Sequence, residues 1–416
     1  MSLLIHDAFL SPALELLPTL EHYRQDLDYS DAEFLTLGVR RINTYHPSGR
    51  SFLQSVRQCE VSDVSLKAYF GACRSRRRLK LAHELNTAVS WQLRVPSDRF
   101  AAFPELHGRD ILALDGHDIR HGSHEPAALT RRGESKVPDT LTGVFLRDLR
   151  TGGARVLTQT HGHQHEWAAV KACPWRDFLW RPEARGTILV IDPVAVDFGS
   201  CGAPSSRGLH GDHANQGEPR GSGIPPAELG PEVSPNQGVL SDERVWFSEA
   251  GEFRRIRYRD PESGTVYELL TTEFHLPPGI IAQIYRLRWD IEKFFDVCEN
   301  LLAEARAWGA GPVPAQVQNE FLVLVHNLLI LLSTRLEAEE GLRDEKVEVK
   351  YEAALQARER VAKSRGRSVS PWVRVLRRIT RWSSQFTRWL QDALLHRWEW
   401  TEGLAKLRPL MHAYLR

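Results

Sequence analysis

Two short apolar runs set what this chain can build. Thr187–Ile191 (TILVI) is an unbroken apolar run rich in β-branched residues, and Ile111–Leu114 is a shorter one. A strand that is apolar on both faces must be covered on both faces, so it belongs in the middle of a sheet flanked by helices. Each run leads into an aspartate, the first into Asp192-Pro193 and the second into Asp115-Gly116. Leu141–Leu149 and Ala154–Thr160 flank Thr151-Gly152-Gly153 and read as a hairpin. The fold class is α/β. Its two buried strands each deliver a carboxylate at a C-terminal end, where open α/β sheets bind ligands.

Helical text surrounds this β-rich stretch. The 416 residues suffice for two or three domains. We divide them into a helical region 1–105, a core 106–315 and a helical region 316–416. In the first, Ser30-Asp31-Ala32-Glu33 has capping-box spacing before an apolar series. Helices at Phe52–Gln58 and from Asp63 through Phe70, with a polar break at Cys59–Ser62, follow helix-turn-helix order. Arg74, Arg76, Arg77, Arg78 and Lys80 then put five cations into seven residues. Such a run neutralises phosphates or forms a solvated helix face.

Residues 238–275 return to strand character, with Phe253–Arg259 and Thr265–Thr271 joined by a turn at Pro261–Gly264. From Pro277 onward the text is helical, with Pro278 opening a helix expected to run past Trp308 and an amphipathic helix over Gln316–Leu336. Residues 361–390 hold eight Lys/Arg and no Asp/Glu, interleaved with Trp372, Trp382 and Trp389. That composition suits DNA, a second subunit, or a basic face with its tryptophans packed inward.

Residues 199–237 fit none of this. They contain no Phe, Trp or Tyr and no apolar periodicity, so disorder or loop is expected. A pair of compensating frameshifts would also write such text.

Fifty-four basic against 53 acidic residues make no global case for nucleic acid, which leaves the local clusters to make it. The five cysteines include no CxxC pair, so a zinc ribbon or disulfide scaffold is not expected. The N-terminus lacks signal-peptide character. The longest apolar run, Phe321–Leu332, contains His326 and Asn327 and is too short and polar to span a bilayer. No membrane and a cytoplasmic location are expected. His161, His163 and His165 alternate, as a strand-borne metal site or a polar loop would.

The helical stretch Ile280–Phe295 carries the sharpest pattern. At about 100° per residue, Tyr285, Arg288 and Glu292 share one stripe, and Glu299 continues it. Two strand aspartates and a helical glutamate make a hard-oxygen set suited to Mg²⁺ or Mn²⁺.

The order strand-Asp, strand-Asp, Tyr-x2-Arg-x3-Glu helix resembles the DDE transposases of bacterial insertion sequences, and within them the insertion sequence four family. The matching text is LALDG, ILVIDPVAVDF and YRDPESGTVYELLTT…IYRLRWDIEKFFD, within a resemblance spanning roughly residues 30–350. The resemblance implies an RNase H-like catalytic core with a β insertion before the glutamate helix. It implies Asp115, Asp192 and Glu292 as catalytic ligands of two Mg²⁺ or Mn²⁺ ions, and Tyr285 and Arg288 as contacts to terminal DNA phosphates. Arg74, Arg76, Arg77, Arg78 and Lys80, on the helical N-terminal region, are assigned to the DNA ends. The implied activity is metal-dependent strand cleavage and transfer at terminal inverted repeats, with double-stranded DNA as partner, a dimer in the synaptic complex and a nucleoid-associated location. Two departures stand out. The signature lysine falls at Glu299, and residues 199–237 replace the text of a core strand. The alternatives are an inactive relative that only binds DNA ends, and an RNase H-like nuclease.

Overall fold

The computed structural model describes residues 3–44, 46, 48–93, 98–120, 140–161, 170, 173, 185–191, 209–212, 236–247, 251–300, 302, 308–309, 312–370, 372–376 and 384–412. Asp192, His163, His165 and Trp382 lie outside them.

Five helices open the chain: α1 (Ile5–Leu16), α2 (Asp31–Asn43), α3 (Gly49–Gln58), α4 (Leu66–Cys73) and α5 (Arg76–Gln92). Ser30 caps α2 by accepting the Glu33 N–H at 3.1 Å. The Glu33 carboxylate accepts from the Ser62 hydroxyl. The break after α3 runs on to Ser65, which caps α4, so α4 starts later than the sequence suggests.

One eight-stranded sheet follows, in the order β3-β2-β1-β4-β5-β8-β7-β6. Its strands are β1 (Arg109–Arg120), β2 (Thr140–Asp148), β3 (Ala154–His161), β4 (Gly186–Val190), β5 (Leu209–Asp212), β6 (Val239–Phe247), β7 (Gly251–Arg259) and β8 (Val266–Thr271). β1, β4 and β5 are parallel, and β2 runs antiparallel to β1 and β3. The β2–β3 hairpin turns at Gly152, whose φ of +77° favours glycine. The three-stranded β6–β8 unit is no separate body, since β8 pairs with β5 and extends the sheet.

Two expectations need correction here. Residues 199–237 are not structureless throughout: Leu209–Asp212 forms β5, joining β4 to β8. Backbone hydrogen bonds can recruit a segment whose side chains carry no pattern. And Asp115 does not end its strand. β1 continues to Arg120 because β2 pairs along it as far as Arg120↔Thr140.

After the sheet come α6 (Pro278–Leu287), α7 (Asp290–Asn300), α8 (Pro312–Glu340), α9 (Glu345–Ser364), α10 (Trp372–Val375), α11 (Ser384–His396) and α12 (Trp400–Met411). The single helix expected from Pro278 past Trp308 is thus two, broken at Arg288–Trp289 and ended at Asn300. In one regular helix Arg288 and Asp290 would point about 200° apart. Here both are buried, with the intervening Trp289 56% exposed. Asp290 accepts from Arg99 at 2.6 Å, and Arg288 turns to the sheet. The break lets both charges face inward.

α8 is the axis of the molecule. It is the one helix among the described residues long and apolar enough to cross a membrane, with mean hydropathy 1.5 over its best 18-residue window. It is also longer than the apolar run on which the membrane was excluded. Two-thirds of that window is buried, against α1, α2, α5, β2 and β3, as in a core helix apolar all round. Its polar residues are anchored. Asn327 accepts from the Ala154 N–H at 2.9 Å and donates to the Ala154 carbonyl at 3.0 Å. Glu320 accepts from Asn86 at 2.6 Å and lies 3.0 Å from His83 Nδ1. The main core draws on α1 at one end of the chain and α12 at the other. The boundaries at 105 and 315 therefore separate elements that share one core. A smaller cluster, including Leu112, Leu114, Val144, Leu146 and Ile191, covers the opposite face of the sheet.

His326 on α8 makes a pH prediction. Its Nε2 lies 2.9 Å from the Gly152 carbonyl oxygen and 3.0 Å from Arg147. Burial, with the adjacent Arg147 cation, pushes its pKa down from 6.5 to about 3. The unfolded imidazole gains a proton below about pH 6.5 and the folded one does not. Stability contributed this way is full above that pH and falls by up to about 1.4 kcal/mol per pH unit as pH drops toward 3. Urea denaturation of His326→Gln is expected to show a flatter slope between pH 6 and 4. An unchanged slope would remove His326 as the cause.

Candidate active site

The main-core face of β1 carries Ile111, Ala113, Asp115 and His117, alternate residues of one strand. The parallel pairing of β1 with β4 ends at Ala113↔Val190. Asp115 comes two residues after Ala113, as Asp192 comes two residues after Val190 in the sequence. β1 is still paired to β2 at this point, through Asp115↔Phe145. The Asp115 backbone is thus paired with β2, just beyond the last described β1–β4 pair.

α7 packs across β1 and β2. Phe294 and Phe295 fill the space beneath it, with ring centroids 5.5 and 5.7 Å from that of Phe145. This packing brings the helix carrying Glu292 onto the strand carrying Asp115. Two acid–base pairs link β1 to this helical segment. Arg288 Nη1 donates to Asp115 Oδ2 at 3.0 Å. Further along, Glu299 Oε1 lies 3.9 Å from His117 Nδ1, and the His117 ring stacks on Phe295 at 4.6 Å and 13°. Tyr285 is half-buried on α6, with the Arg288 guanidinium 6.0 Å from its ring centre. Glu292 is half-buried and Glu299 exposed.

Arg288 thus joins Asp115, with Tyr285 beside its guanidinium and Glu292 on the helix that packs on β1 and β2. Arg288 is not turned outward. It is buried and neutralises Asp115. Sequence reasoning missed His117. The alternation Asp115-Gly116-His117 was its only signal, and Phe295, four residues before Glu299, is what holds its ring.

The basic run divides. Arg74, Arg76 and Lys80 are exposed. Arg77 and Arg78 instead bond within the fold. Arg77 makes two bonds of 2.7 Å to the Asp31 carboxylate. Arg78 adds a third at 3.0 Å and covers the Tyr29 and Phe34 rings. In the C-terminal region Trp389 is buried and Trp372 lies 4.6 Å from Phe103, so both pack inward.

Among the described residues, the group of three potential ligands drawn within 4.8 Å of one another is Glu21, His22 and Glu84. It was not foreseen. Glu84 accepts from the His22 backbone N–H at 3.2 Å and contacts its Nδ1, and Arg77 donates to the His22 carbonyl. These bonds clasp the segment before α2 to α5.

No family model matches the chain, and no curated protein matches its sequence.

Proposed function

We propose that the chain is a DDE transposase that cleaves and rejoins DNA at the ends of an insertion sequence. The observation that carries this reading is the packing of the Glu292 helix onto the Asp115 strand, with Arg288 bonded to Asp115 between them. The strand order supports it. A partly parallel sheet in the order β3-β2-β1-β4-β5, with β2 reversed, is compatible with the RNase H-like core this reading calls for. β6–β8 then correspond to an insertion ahead of the glutamate helix.

Asp115, Asp192 and Glu292 would hold two Mg²⁺ or Mn²⁺ ions. Their oxygens are hard donors of the kind these cations take. Such ions, when bound, activate water and neutralise charge on the attacking and leaving oxygens of a phosphodiester. The protein's own work is positioning and charge. Arg288 and Tyr285 line the position of a terminal phosphate. Arg74, Arg76 and Lys80, on α4's end and α5, present a cationic edge for the flanking duplex. Hydrolysis at each element end leaves a 3′-hydroxyl, which then attacks target DNA in strand transfer. Coordinated cutting of two ends calls for a dimer.

A second reading, end binding without cutting, rests on Glu299. It sets a 57% exposed carboxylate on α7, which would repel a phosphate. Nicking of the DNA flanking the gene, assayed in Mn²⁺ with Glu292→Gln as the comparison, separates the readings. Nicks at defined ends by the unmodified protein alone are expected. Salt-sensitive binding without nicks would favour the second reading. Cutting of duplexes lacking repeats would favour a nuclease.

A further inference from the structure

β7 alternates cleanly over its second half. Arg254, Ile256 and Tyr258 are buried, whereas Arg257 and Arg259 are exposed and Arg255 half-buried. Ile256 and Tyr258 belong to the main core, so Arg255, Arg257 and Arg259 lie on the face turned away from it. Standing at every second residue, they are about 6–7 Å apart. A second basic segment meets them from a distant part of the chain. Residues 358–367, at the end of α9 and just beyond it, hold five Lys/Arg and one Glu. Arg358 Nε donates to Glu262 Oε1 at 2.8 Å, and Arg367 donates to the Ser263 carbonyl. α9 therefore ends on the turn that follows Arg259. We infer that the outer face of β7 and this end of α9 form a phosphate-binding surface for duplex DNA, independent of base sequence. The inference takes its ligand from the reading above and concerns residues outside the carboxylate site.

Solvated arginines are ordinary on a protein surface, so the excess is what counts. Arg255 is answered by Glu243 at 2.6 Å and Glu268 at 3.9 Å, and Arg358 by Glu262. Arg257, Arg259, Lys363 and Arg365 are exposed, and among the described residues none of them forms an ion pair. Arg286, beside Tyr285 on α6, adds a further cation. Burial, with the Arg358 charge nearby, pushes its pKa down. The chain as a whole is close to neutral, with 54 basic and 53 acidic residues, so this surplus is local. Folding gains nothing from gathering like charges, whereas a polyanion does. Arginine's planar fork matches phosphate oxygens. A row of arginines on a strand meets a repeating backbone, and contacts to phosphate carry no sequence information. Of the DNAs in the proposed reaction, this surface suits the target, whose sequence changes from one insertion to the next.

The test titrates the full chain against a short labelled duplex of scrambled sequence, by fluorescence anisotropy over a range of salt. The double variant Arg257→Gln/Arg259→Gln is expected to bind about tenfold more weakly, with the slope of log affinity against log salt flatter by about two. Arg365→Gln, at an exposed position just after α9, carries little risk to the fold and should flatten the slope by about one. Arg257→Lys/Arg259→Lys keeps both charges and should keep the slope. The control is Arg343→Gln/Arg388→Gln, which removes the same net charge elsewhere. Arg343 precedes α9, whose 20 residues place it about 30 Å from the proposed surface. That variant should stay within about twofold of the unmodified protein. Slopes unchanged in both the Arg257/Arg259 and Arg365 variants would overturn the inference, as would an equal loss in the control. A loss confined to duplexes that carry the element's ends would overturn its independence of sequence. All three outcomes leave the transposase reading intact. Absence of binding to any duplex by the unmodified protein would overturn that reading and the inference with it.

Discussion

Asp115→Asn is expected to lower strand cleavage by at least about 10³-fold, equivalent to roughly 4 kcal/mol of transition-state stabilisation. Asparagine matches aspartate in shape, so the hydrogen bond from Arg288 can persist while the metal-binding charge is gone. DNA binding should move the other way. Arg288 is no longer held by a full negative charge, so duplex affinity should equal or exceed that of the unmodified protein. The two measurements are single-turnover cleavage in Mn²⁺ and duplex titration at fixed salt. Cleavage within tenfold of normal would remove Asp115 from the chemistry. Loss of cleavage together with loss of duplex binding would point instead to a collapsed site.

The second large effect is on stability. Asp31→Ala should cost about 3–5 kcal/mol, the range for removing one partner of a buried ion pair. Asp31 is 1% exposed. Burial by itself would raise its pKa, but the hydrogen bonds from Arg77 and from the Arg24 backbone, with the charges of Arg77 and Arg78, hold it below the usual carboxylate value. Removing the carboxylate leaves the buried Arg78 and the half-buried Arg77 facing each other. The sign with pH follows. Stabilisation from this carboxylate is present above the unfolded pKa of about 3.8 and is lost as pH falls through the depressed folded value. Urea titration at neutral pH measures the cost. A loss under 1 kcal/mol would mean that the arginines reach other partners or water.

These two residues show what could be read in advance. Asp115 was legible because an apolar run leading into Asp-Gly is a local signal. The hairpin at Gly152 was legible for the same reason, as were Pro278 at a helix start and the cap at Ser30. Asp31 was legible only as part of that cap. Its pairing with Arg77 and Arg78 spans 46 and 47 positions, and no spacing rule connects them, so the arginines looked like a nucleic-acid run. The helix break at Arg288–Trp289 contains neither Gly nor Pro. It follows from two buried ion pairs on opposite sides of one helix, which exist only once β1 and Arg99 are in place. β5 left no trace because Leu-His-Gly-Asp has no alternation. β1 outran its apolar text because β2 continues to pair with it beyond Asp115.

The central position of α8 also bears on how the protein is made. α2 and α5 pack against it, yet α5 ends at Gln92 and α8 begins at Pro312. At a synthesis rate of roughly 5–20 residues per second, the ribosome takes about 10–45 s to cross that interval. Throughout it, the apolar sides of the first helices stand in water with their partner not yet translated. The nascent chain thus keeps that apolar surface uncovered until α8 is made. A message broken anywhere before codon 312 would yield a polypeptide that cannot close its core, rather than a smaller working protein.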